Sequence, residues 1–395
     1  MKVNSVILAK NLKGKRVLVR VDFNVPLKNG KINESYKITK SLPTIEFLIK
    51  KGARVILVSH LGRPIGVDKK LSLKPISQIL EKKLKRKIKF LNIDSWKKIE
   101  AEINKMKEGD VVLLENIRFI KGEEDNKLIV AKNLSNLADL FVLDGFAVAH
   151  RAAASVSGVA KLLPTYAGLL MTEEIDGLLK LTVKPKKPFV VILGGIKMET
   201  KLPLLKKFLE KADYILLGGG LVNTYLWAKG VKVGSSIVEQ SLKKEVLSYQ
   251  NKKKIIWPVD LVVGEKNGKN AKVFKIDEIN IINSKLAIYD VGPATINLFN
   301  KYIKRAKTLI WNGAMGYFEQ HPYEFGSYSV GRLLASRAKG KAFGVCGGGE
   351  TVEIIKKLKV TDDIDLVSTG GGAMLEFLSD NQLPGVKSVL KKKYN

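Results

Sequence analysis

Four glycine clusters in the second half of the chain each follow an apolar stretch. They are Gly194-Gly195 after VVIL, 218–220 after YILL, 347–349 after FGVC and 370–372 after DLVST. Glycine lets backbone come close to a ligand and adopt positive φ, and a helix that follows aims free N–H groups at an anion. One such turn also reads as a plain tight turn, but four in one half favour a phosphate cradle. Lys197 and Lys201 follow the first pair at i, i+4, a spacing that predicts two ammonium groups on one helix face near its N-terminus. They read either as solvated lysines of a lysine-rich chain or as stabilisers of charge on a transferring phosphoryl group. No GxxxxGK[ST], no GxGxxG after a strand and no HRD or DFG occurs. A P-loop, a dinucleotide fingerprint and a protein-kinase signature are therefore all missing.

The elements that must carry these turns are short β-branched runs separated by longer amphipathic stretches. Strands are expected at 16–22, 54–59, 87–91, 111–115 and 140–144, then at 189–193, 213–217, 286–290, 308–312, 342–346 and 364–368. Segments 40–51 and 201–211 have helical apolar spacing. Nearly continuous apolar strands alternating with helices predict parallel sheets covered on both faces, here as two doubly wound domains. Residues 171–183 read as one helix with acidic residues in its first turn. Lys184-Pro185-Lys186-Lys187-Pro188 then stops it, as an interdomain connector and hinge would.

A chain of 395 residues suits two or three domains. No segment approaches the ~20 apolar residues of a membrane helix, and the apolar run before Lys10 is too short for a signal peptide, so a cytoplasmic protein is expected. Cys346 is the only cysteine, which excludes an internal disulfide and a cysteine metal cluster. Lys and Arg total 69 against 38 Asp and Glu, a net charge of +31. The lysines are scattered in pairs without interleaved aromatics, so they read as a basic surface that attracts anionic substrates rather than as a nucleic-acid platform.

Several motifs together resemble the phosphoglycerate kinase family. They are RVDFNVP at 20–26, LPTI at 42–45, SHLGRP at 59–64, ENIRF at 115–119 and AHRA at 149–152. In the second half they are GGIKMETK at 194–201, DVGPAT at 290–295, WNGAMGYFE at 311–319, GGGET at 347–351 and STGGGAMLEFL at 368–378. Their order and approximate spacing fit from residue 15 to about 386.

The resemblance implies an α/β fold of two Rossmann-like three-layer lobes, each with a mainly parallel sheet, joined by a hinge helix. It places a glycerate-binding lobe at 1–170, the hinge at 171–188, a nucleotide-binding lobe at 189–374 and a carboxyl segment, 375–395, packed back on the first lobe. It implies reversible phosphoryl transfer between 1,3-bisphosphoglycerate with ADP and 3-phosphoglycerate with ATP, with Mg²⁺ accompanying the nucleotide, in a monomer that uses hinge closure. Asp22, Asn24, Lys37, His60, Arg63, Arg118, His150 and Arg151 would bind the glycerate. Gly218, Gly219, Gly220, Gly292, Asn312, Glu319, Gly348, Gly349, Glu350 and Thr351 would bind the nucleotide together with Lys201, and Glu350 would take the metal through it. Lys37, Lys197, Lys201, Gly371 and Gly372 would surround the moving group. His321 matches no motif and reads as surface.

The chain departs from the family's pattern at Lys37, where an arginine is usual, and at Glu350, where an aspartate is usual. Ala314 stands for a usual proline and Ala153 for a usual histidine, and 145–147 also differ. A related phosphotransferase with another carboxylate substrate, or a nucleic-acid-binding protein on an inactive kinase scaffold, are the rival readings.

Overall fold

The structure is a computed structural model that describes residues 2–28, 31–32, 35–379 and 382–391. The chain divides into two compact units. The first runs to Asp176 and includes the described carboxyl segment 382–391, and the second is Gly177–Ser379. The boundary falls inside helix Leu169–Thr182, which starts two residues earlier than its sequence pattern suggested, so its acidic residues lie beyond the first turn.

In the first unit six parallel strands lie in the order Ile88–Leu91, Val111–Leu114, Arg54–Val58, Arg16–Arg20, Leu140–Leu143 and Thr165–Ala167. Val17, Val19, Val55, Leu57, Leu113 and Val142 are almost fully buried in one continuous core, as strands covered on both faces require. The chain leaves Arg16–Arg20 toward Arg54–Val58 and returns to its other side as Leu140–Leu143. Loops after these strands therefore part at a topological switch point, where a crevice opens at the carboxyl edge. The carboxyl segment closes this unit. Asn4 N donates to Val389 O at 2.8 Å, Lys391 N to Lys2 O at 2.9 Å and Gly385 N to Ala149 O at 2.8 Å.

The second unit holds six parallel strands in the order Ile255–Ile256, Tyr214–Leu217, Phe189–Leu193, Thr308–Asn312, Phe343–Gly347 and Leu366–Ser368. By chain position this is 3-2-1-4-5-6, the dinucleotide-fold order, and its switch point lies between Phe189–Leu193 and Thr308–Asn312. One expected strand lies elsewhere. Ala287–Val291 is not in the parallel sheet but pairs antiparallel with Asp260–Gly264, which also pairs antiparallel with Lys272–Lys275. The short turn at 265–271 cannot span a parallel crossover, so Lys272–Lys275 folds back on Asp260–Gly264 as a hairpin, and Ala287–Val291 adds to the other edge of that pair. Among the described residues no helix is long and apolar enough to cross a membrane.

Candidate active site

The candidate residues of the first unit come from successive strand ends at the sheet's carboxyl edge. Asp22 and Asn24 follow Arg16–Arg20, and His60 follows Arg54–Val58. Arg118 sits in the turn Ile117–Phe119, while His150 and Arg151 follow the turn Phe146–Val148. Lys37 enters from the first turn of helix Tyr36–Lys50 and donates from Nζ to Asp22 Oδ2 at 2.7 Å. The other oxygen, Oδ1, accepts Asn24 N–H at 3.0 Å, and Asn24 Oδ1 accepts Gly62 N–H at 3.0 Å. Burial pushes the Asp22 carboxyl up, but the Lys37 charge and the hydrogen bonds from Lys37 and the Asn24 N–H bring it below its ordinary value.

Arg20 belongs to this group, although the sequence reading did not single it out as a site residue. It is 3 % exposed, donates from Nε to Ser155 Oγ at 2.9 Å, and approaches His60 Nδ1 with Nη2 at 3.2 Å. Burial first, and the Arg20 charge second, hold His60 well below its usual pKa. The imidazole is therefore neutral, with Nδ1 as acceptor. Ser155 N donates to Glu123 Oε2 at 3.0 Å, and Ser155 Oγ also donates to Glu123. Burial raises Glu123, and Arg20 opposes that rise. An arginine ending an otherwise apolar parallel strand was the available signal, since a buried charge needs partners.

A cavity of about 240 Å³ opens beside this network, lined by Arg20, Arg118 and Arg151 with Glu123 and Glu124. Asp22, Asn24, Lys37 and His60 form the bonded group next to it. Arg63 is exposed and His150 half-buried, and neither lines this cavity.

In the second unit a cavity of about 530 Å³ lies against the switch-point turns. Its wall includes Gly195, Gly219, Gly220, Ala314, Glu319 and Glu350. Gly219 has φ 60°, and a Cβ there would stand 2.7 Å from Gly195 N, so only glycine fits. Helix Gly349–Lys357 begins after Gly348 at φ 98°, and its first N–H groups have no intrahelical partner. Gly371 at φ 51° opens helix Gly372–Leu378 the same way. Lys201 is only 7 % exposed and donates from Nζ to Asn312 Oδ1, while Asn312 Nδ2 donates to Gly347 O at 2.6 Å. Burial lowers Lys201 to about 8, with Glu350 opposing the shift. Glu350 Oε2 accepts Ala314 N–H at 3.3 Å, and Thr351 Oγ1 accepts Gly313 N–H at 2.7 Å.

The two lysines do not share a helix face. Lys197 is exposed ahead of the 3₁₀ turn Met198–Thr200, and Lys201 is buried at the cap of helix Leu202–Lys211. Pro203 in the first turn of that helix sets its start too late to include Lys197. Gly292 does not line the cavity; it makes room for Asp260, whose carboxyl carbon would lie 2.3 Å from a Cβ there. Gly218 packs behind the wall against Met315. Glu319 does line it, and burial with the nearby Glu350 raises its pKa. The lining residues Tyr289, Tyr317, Phe318, Lys266 and Lys285 were not foreseen. Three of these are aromatics, which sequence alone cannot tell from core.

Among the described residues no group of three or more His, Cys, Asp or Glu is placed to hold a metal ion. Glu350 offers one carboxylate beside the phosphate-type turns, a donor set that suits Mg²⁺ shared with a polyphosphate.

The family model described as phosphoglycerate kinase matches residues 7–381. The chain belongs to the phosphoglycerate kinase family. Members of this family are ATP-dependent phosphotransferases. The chain is 44% identical over 389 residues to a phosphoglycerate kinase of Leptospira biflexa, covering 97% of each chain. It is 45% identical over 389 residues to that of Dictyoglomus turgidum, again covering 97% of each. The solved phosphoglycerate kinase of Coxiella burnetii matches with a TM-score of 0.86 and 37% identity over 98% of each chain. That of Pyrococcus horikoshii gives 0.83 and 31% over 96% of each. The nucleic-acid-binding alternative has no support in any of these matches.

Proposed function

We propose that the chain moves a phosphoryl group reversibly between 1,3-bisphosphoglycerate with ADP and 3-phosphoglycerate with ATP. The observation that carries this reading is the pairing of two chemically distinct sites. One unit has an arginine-lined cavity of about 240 Å³, and the other has a glycine-walled cavity of about 530 Å³ near the buried Lys201.

In the direction of ATP use, a carboxylate oxygen of 3-phosphoglycerate attacks the γ-phosphorus, and the β–γ bridging oxygen leaves with ADP. No side chain needs to become covalently attached, so positioning and charge stabilisation supply the rate. Arg118 and Arg151 hold the substrate's phosphate through their forks, with Arg63 and His150 nearby. Asp22, Asn24 and the neutral His60 orient the glycerate. Lys37, with the charge of the usual arginine but not its planar fork, faces the reacting carboxylate.

Gly219 and Gly220 flank the base, Glu319 accepts from the ribose, and the turns at Gly348 to Thr351 and at Gly371-Gly372 receive phosphates. Lys201 and Lys197 offset charge on the moving group. Mg²⁺, held by Glu350 and the nucleotide, would neutralise phosphate charge. In-line transfer requires the two substrates to meet, so 171–188 is proposed as the hinge. Family membership also supports a role in glycolysis or gluconeogenesis, for a cytoplasmic monomer. Steady-state turnover with 3-phosphoglycerate and with unphosphorylated glycerate tests the substrate. A preference for 3-phosphoglycerate that collapses in Arg118→Ala is expected, and equal use of both acids would exclude it.

A further inference from the structure

We propose that Glu124 is an internal stand-in for the substrate's anion. Its carboxylate bridges Arg118 and Arg151 in the free enzyme, and the phosphate of the glycerate displaces it. This rests on the reading of the arginine cavity as the glycerate site.

One oxygen, Glu124 Oε1, lies 2.8 Å from Arg118 Nη2 and 3.2 Å from Arg151 Nη1. The Glu124 side chain is 52% exposed, whereas that of Arg118 is only 5% exposed. Arg118 is also tied to the carbonyl of Gly62, so its guanidinium is fixed and the carboxylate is the partner able to leave. Glu124 stands on the turn at 121–126, after Gly122 at φ 93°. Its neighbour Glu123 is the opposite case. It is 2% exposed, accepts from Ser155 N and Oγ, and stays with the buried Arg20.

Three guanidinium groups thus border the cavity, with one anchored carboxylate and one removable one. Burial and the neighbouring charges of Arg151 and Arg63 lower Arg118, and Glu124 opposes that shift. A phosphate dianion brings more charge and enough oxygens to satisfy both forks at once, where Glu124 spends a single oxygen on two. A monoanion gains little by the exchange. Glu124 therefore keeps the arginines paired until the phosphate displaces it, and sets a threshold that favours dianionic substrates.

The test is titration calorimetry of 3-phosphoglycerate into the full-length protein without nucleotide. Glu124→Gln should tighten Kd about fivefold, the scale of a partly exposed ion pair. Glu124→Asp, which draws the charge back from the forks, should fall between it and the parent. Glu108→Gln removes the same charge at the opposite edge of the sheet, where Glu108 pairs with Lys13, and should leave Kd as in the parent. An unchanged or weaker Kd in Glu124→Gln would overturn the proposal, as would an equal gain in Glu108→Gln. Turnover of 3-phosphoglycerate by the parent, measured alongside, separates failure of the reaction assignment from failure of the exchange.

Discussion

Lys37 Nζ donates to Asp22 Oδ2 at 2.7 Å, at a position where the family resemblance leads one to expect an arginine. An ammonium has three donors but no planar fork, so it cannot grip a reacting carboxylate with the two parallel bonds that a guanidinium offers. Lys37→Arg should raise kcat about threefold or more, and Lys37→Ala should lower it about 100-fold. Steady-state kinetics of the two variants check this; an arginine variant no faster than the parent would remove Lys37 from the transition state.

Lys201 titrates near 8 because it is buried. A bound polyphosphate favours the charged form, so nucleotide binding near pH 8 should take up protons. Affinity should also fall as pH rises from 7 to 9. Calorimetry in buffers of different ionisation enthalpy reads the uptake directly, and Lys201→Met should abolish it. The unliganded protein follows the other sign. The native lysine holds fewer protons than the unfolded one between about 8 and 10.5, so this group adds stability as pH rises through that window.

Asp144 is fully buried at the carboxyl end of Leu140–Leu143, and burial raises it to about 7 although Oδ1 accepts Met171 N–H at 3.2 Å. Between its unfolded value of 3.8 and about 7 the native state holds the extra proton. Its contribution to stability is therefore present at low pH and lost as pH rises through 7. Asp144→Asn should flatten this dependence and exceed the parent's urea midpoint at pH 8. A parent-like pH slope in the variant would count against a buried neutral acid.

Asp260 caps helix Pro293–Arg305 from another element. Its Oδ2 accepts Ala294 N–H at 2.9 Å, and Oδ1 accepts Thr295 N–H at 2.7 Å. Asp260→Ala should cost about 2–4 kcal/mol, because two backbone donors lose their acceptor in a buried place. Denaturant unfolding of the variant measures it. Gly292→Ala should destabilise in the same assay, since its Cβ would collide with that carboxylate.

Most parallel strands were legible because each is an uninterrupted apolar run, and the glycine turns were legible because each follows such a run. The antiparallel pairing of Ala287–Val291 with Asp260–Gly264 was not, since Ala287–Val291 reads as a strand whichever sheet it joins. The i, i+4 spacing of Lys197 and Lys201 misled because a 3₁₀ turn, Met198–Thr200, lies between them and the helix starts only at Leu202. Arg20 and Glu123 escaped notice as site residues because their partnership crosses from a strand end to a distant turn. The positions of His60, Arg118 and Arg151 were readable from motif, but the bridging by Glu124 needed coordinates.

The central claim is tested most directly by turnover of 3-phosphoglycerate with ATP and Mg²⁺ by the full-length protein, repeated on Lys201→Ala. The account predicts ADP formation that depends on 3-phosphoglycerate in the parent, and a loss of about 100-fold or more in the variant. A parent that forms no ADP in response to 3-phosphoglycerate would contradict it.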